Sequence, residues 1–222
     1  LMVGAADRFA GNNNFEYDLV DITRQALDDQ ARIQYQRVIA DYKTFSREAF
    51  KRDSRRFLSM ILLQDRLLGT RSEFRLGRWT EAARALGTTP DEKRLYEWNA
   101  RVQITTWGNR RCADRGGLRD YAHKEWQGLL RDFYYMRWKT YFQAMEQQLA
   151  AGSEANYAVL GGSTGSANTS AELSTARTAP SLTIDWYALE EPWTLATNTY
   201  SAKPEGEPIE VARDVISFLS SD

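Results

Sequence analysis

Tyr96, Asn99, Gln103 and Trp107 follow one another at three- and four-residue steps, a spacing that places side chains on one face of a helix. An aromatic–amide–amide–aromatic row suits a sugar: rings cover the apolar faces of a pyranose, and amides hydrogen-bond its hydroxyls. The same row suits a helix buried on two sides, with the amides satisfying neighbouring backbone groups. Spacing alone favours packing, because helix patterning mostly reports burial. On the same wheel, Leu95, Trp98, Val102 and Thr106 form the expected core face, and Arg94, Glu97 and Arg101 a charged face.

A second set of polar and aromatic residues follows. Asp120 lies close to the start of the next expected helix, where a carboxylate caps or complements the dipole, with Tyr121, His123 and Trp126 in its first turns. Gly128, read as interior to that helix, costs about 1 kcal/mol relative to Ala, so a close contact is expected there. Leu129, Leu130, Phe133, Met136, Trp138, Tyr141, Phe142 and Met145 read as core. His123 is the one histidine and reads as a surface or packed residue rather than a catalyst. Asp28 with Asp29, and Glu190 with Glu191, are adjacent in sequence and cannot share a helix face as a catalytic pair.

The elements that must carry these residues are helices. Tyr17, Val20, Ala31, Tyr35, Val38 and Tyr42 predict a long amphipathic helix over about 16–42. A second is expected from Ser46 to Gly69 and a short third from Leu76 to Leu86. Thr89 as cap and Pro90 in the first turn open a fourth, reaching about Thr106. Gly116 and Gly117 precede a long fifth, over about 118–150, and Pro208 opens a last one. No run of alternating β-branched residues is present. The expected fold is therefore all-α, an antiparallel bundle of about five or six helices. Residues 1–151 form the bundle, 152–183 a Gly/Ser/Thr-rich loop or linker, and 184–222 an aromatic segment and C-terminal helix packing back on it.

Composition narrows the function classes. Lys and Arg total 29 against 30 acidic residues, a net charge of -1, so no global field favours nucleic acid. The basic runs at Lys51–Arg56 and Arg110–Arg111 are interrupted by acidic residues and read as solvated faces. With a single cysteine, Cys112, no intrachain disulfide forms, and with one histidine no zinc site is expected. No stretch approaches the ~20 apolar residues of a membrane span. The opening LMVGAADRFAGNNN has neither the charged start nor the apolar run of a signal peptide. Asn168-Thr169-Ser170 fits a glycosylation sequon, a weak signal. No phosphate-binding glycine loop or nucleophile elbow occurs, and no cofactor is implied.

Several motifs in order carry a more specific message. YDLVDITRQAL (Tyr17 to Leu27), WNARVQITTWG (Trp98 to Gly108) and DYAHKEWQGLLRDFYYMRWKTYF (Asp120 to Phe142) resemble successive motifs of family 89 glycoside hydrolases, the α-N-acetylglucosaminidases. WYALEEPW (Trp186 to Trp193), with Lys203-Pro204 and Pro208, is similar to the C-terminal end of bacterial members. The resemblance implies the C-terminal all-α domain of an enzyme that removes terminal α-linked N-acetylglucosamine with retention. That chemistry needs two carboxyl groups roughly 5–5.5 Å apart, which the family places in an upstream barrel. The resemblance thus implies that this piece is inactive alone and has the barrel and a glycan as partners. It implies a periplasmic or secreted setting in a bacterium and a lysosomal one in an animal.

By the same resemblance, Trp107 matches a tryptophan of the substrate-cleft wall and Leu118 an apolar residue there. Tyr96, Asn99, Arg101 and Gln103 match the surrounding motif, and Asp120 and Tyr121 the DYA element. His123 stands where the family usually has Asn, and the insert from Asn109 to Gly117 is longer. Two readings of another class remain: a stand-alone sugar- or partner-binding helical module, and a purely structural bundle.

Overall fold

In a computed structural model of the chain, residues 2–150 and 182–221 are described. They form nine α-helices: α1 (Met2–Ala5), α2 (Asn13–Lys43), α3 (Arg47–Gly69), α4 (Leu76–Ala85), α5 (Pro90–Gln103), α6 (Arg110–Asp114), α7 (Tyr135–Ala150), α8 (Trp186–Leu195) and α9 (Pro208–Ser220). A π-helical turn, Leu130–Tyr134, runs directly into α7. The all-α expectation holds. The additions to the predicted set are α1, α6 and α8, the first lying in an opening expected to be irregular. Most of the predicted linker, 152–181, lies outside the described residues, as does the sequon at Asn168.

Local chemistry sets the helix starts. Asn12 caps α2 by accepting from the Phe15 amide at 3.0 Å. At α5, Thr89 Oγ1 accepts from the Glu92 amide at 3.2 Å while the Glu92 carboxylate accepts from the Thr89 amide at 3.0 Å, a reciprocal capping box. Between α2 and α3 the chain turns through Phe45, at φ 55°. The ring pairs Tyr42–Phe50 and Tyr35–Phe57 then count in opposite directions along the two helices, so α2 and α3 are antiparallel.

The same logic places α7. Phe50 and Phe57 both meet Phe142, and Phe57 also meets Trp138 at 4.7 Å between ring centres. Edge-on and tilted pairs of this kind add about 0.5–1.5 kcal/mol each beyond their buried area. Val211, Ala212 and Val215 of α9 complete this core beside Leu19, Val20 and Leu27 of α2 and Leu67 and Leu68 of α3. A second, smaller core of Leu76, Ile104, Leu129, Phe133, Trp193 and Tyr200 lies between α4, the end of α5, the π-turn and α8. That smaller core underlies the residues of interest.

The expected fifth helix starts only at Leu130. Residues 118–129 are irregular because Gly117, Asp120, His123 and Gly128 all have positive φ, at 64°, 59°, 43° and 90°. Gln127 also turns its backbone outward: its amide donates to Phe74 O at 2.8 Å and its carbonyl accepts from the Leu76 amide at 3.1 Å. Those bonds replace the helical ladder. Gly128 is therefore not interior to a helix, and the close contact is with an aromatic ring. A Cβ there would lie 2.7 Å from Tyr200 Cδ1.

Candidate functional site

The end of α5 is held by its most buried charge. Arg101 is 0% exposed. Its guanidinium donates to the Glu97 carboxylate at 2.8 and 3.2 Å, to Trp193 O at 3.2 Å and to Asn198 O. It also stacks on the rings of Trp193 and Tyr200, 5.0 and 5.3 Å from their centres. Of the expected charged face of α5, Arg94 is exposed but Glu97 and Arg101 are buried, while Leu95 and Trp98 of the expected core face are exposed; Val102 and Thr106 are buried. The wheel failed because a guanidinium can enter a core when carbonyls, a carboxylate and ring faces satisfy it. Arg101 therefore anchors α5 and offers nothing to a ligand.

Beyond Gln103 the chain leaves the helix through buried Ile104, Thr105 and Thr106. Thr105 Oγ1 donates to Arg101 O at 2.7 Å, and the Trp107 amide to Val102 O at 2.8 Å. Trp107 then takes φ 60° and is 39% exposed. Its ring meets Tyr121, itself 64% exposed, at 5.1 Å between centres. Tyr96, Asn99 and Gln103 are exposed as well. The aromatic–amide row is therefore an outward face of α5, not a second buried one.

Leu118, half-buried, leads into Tyr121 through a tight turn in which the Tyr121 amide donates to Leu118 O at 3.1 Å. The Asp120 amide donates to Thr105 O at 2.8 Å, tying this turn to the end of α5. Asp120 is not a helix cap. Its carboxylate accepts from Tyr134 Oη at 2.9 Å and from the Arg137 guanidinium. Burial, and next the Asp120 charge, push the Tyr134 phenol well above its usual range, so it stays a donor.

Behind Asp120 sits Glu190 of α8, 0% exposed. It accepts from Arg137 Nε at 2.6 Å and from Arg119 Nε at 2.9 Å, and Arg119 also donates to Asp114 at 2.7 Å. Burial raises the Glu190 carboxyl against the pull of the two arginines. Both carboxylates here are matched by guanidinium groups, so this cluster holds geometry rather than moving protons. Sequence reasoning missed Glu190, Arg119, Arg137 and Tyr134. The available signal was Glu190 standing four residues after Trp186 and three before Trp193, on the apolar side of α8, whereas Glu191 is exposed. His123 is exposed, and among the described residues no His/Cys/Asp/Glu group is arranged to hold a metal ion.

Comparison with known proteins gives this surface its context. The family model of the α-N-acetylglucosaminidase (NAGLU) C-terminal domain matches residues 1–217. The chain belongs to this family. Human α-N-acetylglucosaminidase is 33% identical over 154 residues, 68% of this chain and 20% of that protein. A Clostridium perfringens family 89 glycoside hydrolase, doubly substituted and bound to its substrate GlcNAc-α-1,4-galactose, superposes with TM-score 0.80 at 32% identity, over 97% of this chain and 22% of that one. The Clostridium enzyme in complex with 2-acetamido-1,2-dideoxynojirmycin superposes with TM-score 0.82 at 31% identity, over 100% of this chain and 23% of that one. This α-N-acetylglucosaminidase C-terminal domain thus spans about a fifth of the length of the relatives it matches. No helix among its described residues is long and apolar enough to cross a membrane.

Proposed function

We propose that this domain serves a retaining α-N-acetylglucosaminidase acting on glycans that end in α-linked N-acetylglucosamine, and that it forms one wall of the substrate cleft. The observation that carries the reading is the Trp107–Tyr121 ring pair: two exposed aromatics, 5.1 Å apart, on a rim whose backbone is tied to buried groups. Exposed rings held this firmly suit the apolar face of a sugar, and solved relatives are named as complexes with GlcNAc-α-1,4-galactose and with 2-acetamido-1,2-dideoxynojirmycin.

In this reading Trp107, Leu118 and Tyr121 pack against bound sugar and hold it beside the carboxyl pair of an upstream catalytic barrel. Tyr96, Asn99 and Gln103, exposed on the same helix, line the approach. Asp120 positions the turn, and Arg101 anchors α5 from within. The domain's share is binding and orientation, not proton transfer. Residues 1–151 and 184–222 act as one wall-bearing unit, with 152–183 as the connection.

The test is Trp107→Ala in the full-length enzyme, with kcat/KM measured on an aryl α-N-acetylglucosaminide beside thermal stability. The expected result is a loss of ~10-fold or more, at least ~1.4 kcal/mol in transition-state binding, at unchanged melting. A lower melting point with normal kcat/KM makes Trp107 a packing residue and the domain a scaffold. Sugar binding by the domain alone, without a barrel, favours a stand-alone binding module.

A further inference from the structure

We infer that Glu190, a residue of the C-terminal segment, is a positioning residue that sets how the Leu118–Tyr121 turn meets the sugar. The inference rests on the reading of Trp107, Leu118 and Tyr121 as a cleft wall. Glu190 is fully buried, yet each of its two bonds leads back to that turn. One oxygen holds Arg119, the residue between Leu118 and Asp120. The other holds Arg137, whose guanidinium also grips Asp120. The carboxylate thus fixes the turn from both sides.

The turn needs such ties. Asp120 sits at φ 59° and His123 at φ 43°, left-handed conformations that side-chain-bearing residues hold only when their surroundings over-determine them. The end of α8 and the residues after it clamp the other edge of the wall: Trp193 and Asn198 bind Arg101 through their carbonyls, at the base of the segment leading to Trp107. One C-terminal segment therefore governs both halves of the ring pair. Neutralising Glu190 leaves Arg119 and Arg137 partly unmatched at low solvent exposure, and Arg137 is then free to pull Asp120 out of its bond with Tyr134. The wall shifts although nothing that touches sugar has changed.

The experiment is a double-mutant cycle of Glu190→Gln and Trp107→Ala in the full-length enzyme, with kcat, KM and melting temperature measured for all four proteins. Glu190→Gln is expected to raise KM about 10-fold with little change in kcat, because a wall packed on bound sugar acts on ground and transition states alike. The double variant is expected to fall short of the product of the single losses by ~3-fold or more, since both changes damage one wall. Multiplicative losses, or an unchanged KM in Glu190→Gln, overturn the inference while the wall reading stands. An unchanged kcat/KM in Trp107→Ala overturns the wall reading and this inference with it. If Glu190→Gln does not fold, Arg119→Gln, which cuts one tether from a partly exposed site, is read by the same outcomes.

Discussion

Arg101 and Trp193 meet twice: the guanidinium donates to the Trp193 carbonyl at 3.2 Å and lies 5.0 Å from the centre of its ring. Residues 92 positions apart in sequence thereby lock α5 to the end of α8. Arg101→Ala strands the buried Glu97 carboxylate, whose remaining cation is Arg84 at 3.4 Å. Removing one partner of a buried pair costs ~3–5 kcal/mol, so urea unfolding is expected to show a loss of that order. Adding Glu97→Gln to Arg101→Met is expected to recover part of it.

Gly128 offers a sharper steric test. At φ 90° and with Tyr200 Cδ1 2.7 Å from where a Cβ would stand, Gly128→Ala meets both backbone strain and a buried ring that must shift. Overpacking and an unfavourable φ together cost about 2–3 kcal/mol. Melting is expected to fall accordingly, and near-UV circular dichroism to change as Tyr200 and Trp193 repack. A variant as stable as the parent would show that this approach is loose.

Asp28 gives the fold a pH dependence. Burial first, and the Glu125 charge second, push its carboxyl up to about 7, against a Gln64 hydrogen bond and the Arg24 charge. Arg24 also reaches Glu125 at 2.5 Å, and Gln64 does so at 3.2 Å. The folded state therefore holds this proton more tightly than the unfolded chain, where an aspartate titrates near ~3.9. Its contribution is fully present below about pH 4 and is lost as pH rises through about 7. Asp28→Asn is expected to melt ~2–4 °C higher than the parent at pH 8, with the gap closing toward pH 5. Parallel melting curves against pH for the two proteins would count against a raised Asp28 carboxyl.

Helix α5 presents the exposed Tyr96, Asn99 and Gln103 along its later turns, so its cap has a measurable value. Thr89→Ala removes the acceptor of the Glu92 amide and is expected to cost about 1 kcal/mol in urea unfolding. Thr89→Ser is expected to restore most of it. An alanine variant unfolding at parental urea concentration would mean that tertiary contacts alone set this helix start.

Much of the architecture could be read from residue order alone, because amphipathic periodicity and caps are local signals. The long helices over 13–43 and 47–69, the short one from Leu76, the start at Pro90 and the last helix from Pro208 all carry apolar stripes or cap residues that declare them. The row Tyr96, Asn99, Gln103 and Trp107 was visible for the same reason, as were the motifs of the family. Three matters depended on distant partners, and only Glu190, by its place between Trp186 and Trp193, left a local trace. Glu97 and Arg101 look like a solvent face until the Trp193 and Asn198 carbonyls arrive to satisfy the guanidinium. Residues 118–129 look helical until Gln127 spends its backbone bonds on Phe74 and Leu76. Glu190 looks like one of two surface glutamates until Arg119 and Arg137 converge on it. In each case a buried polar group found partners far along the chain, and hydrogen bonds of that reach are made only once the helices have packed.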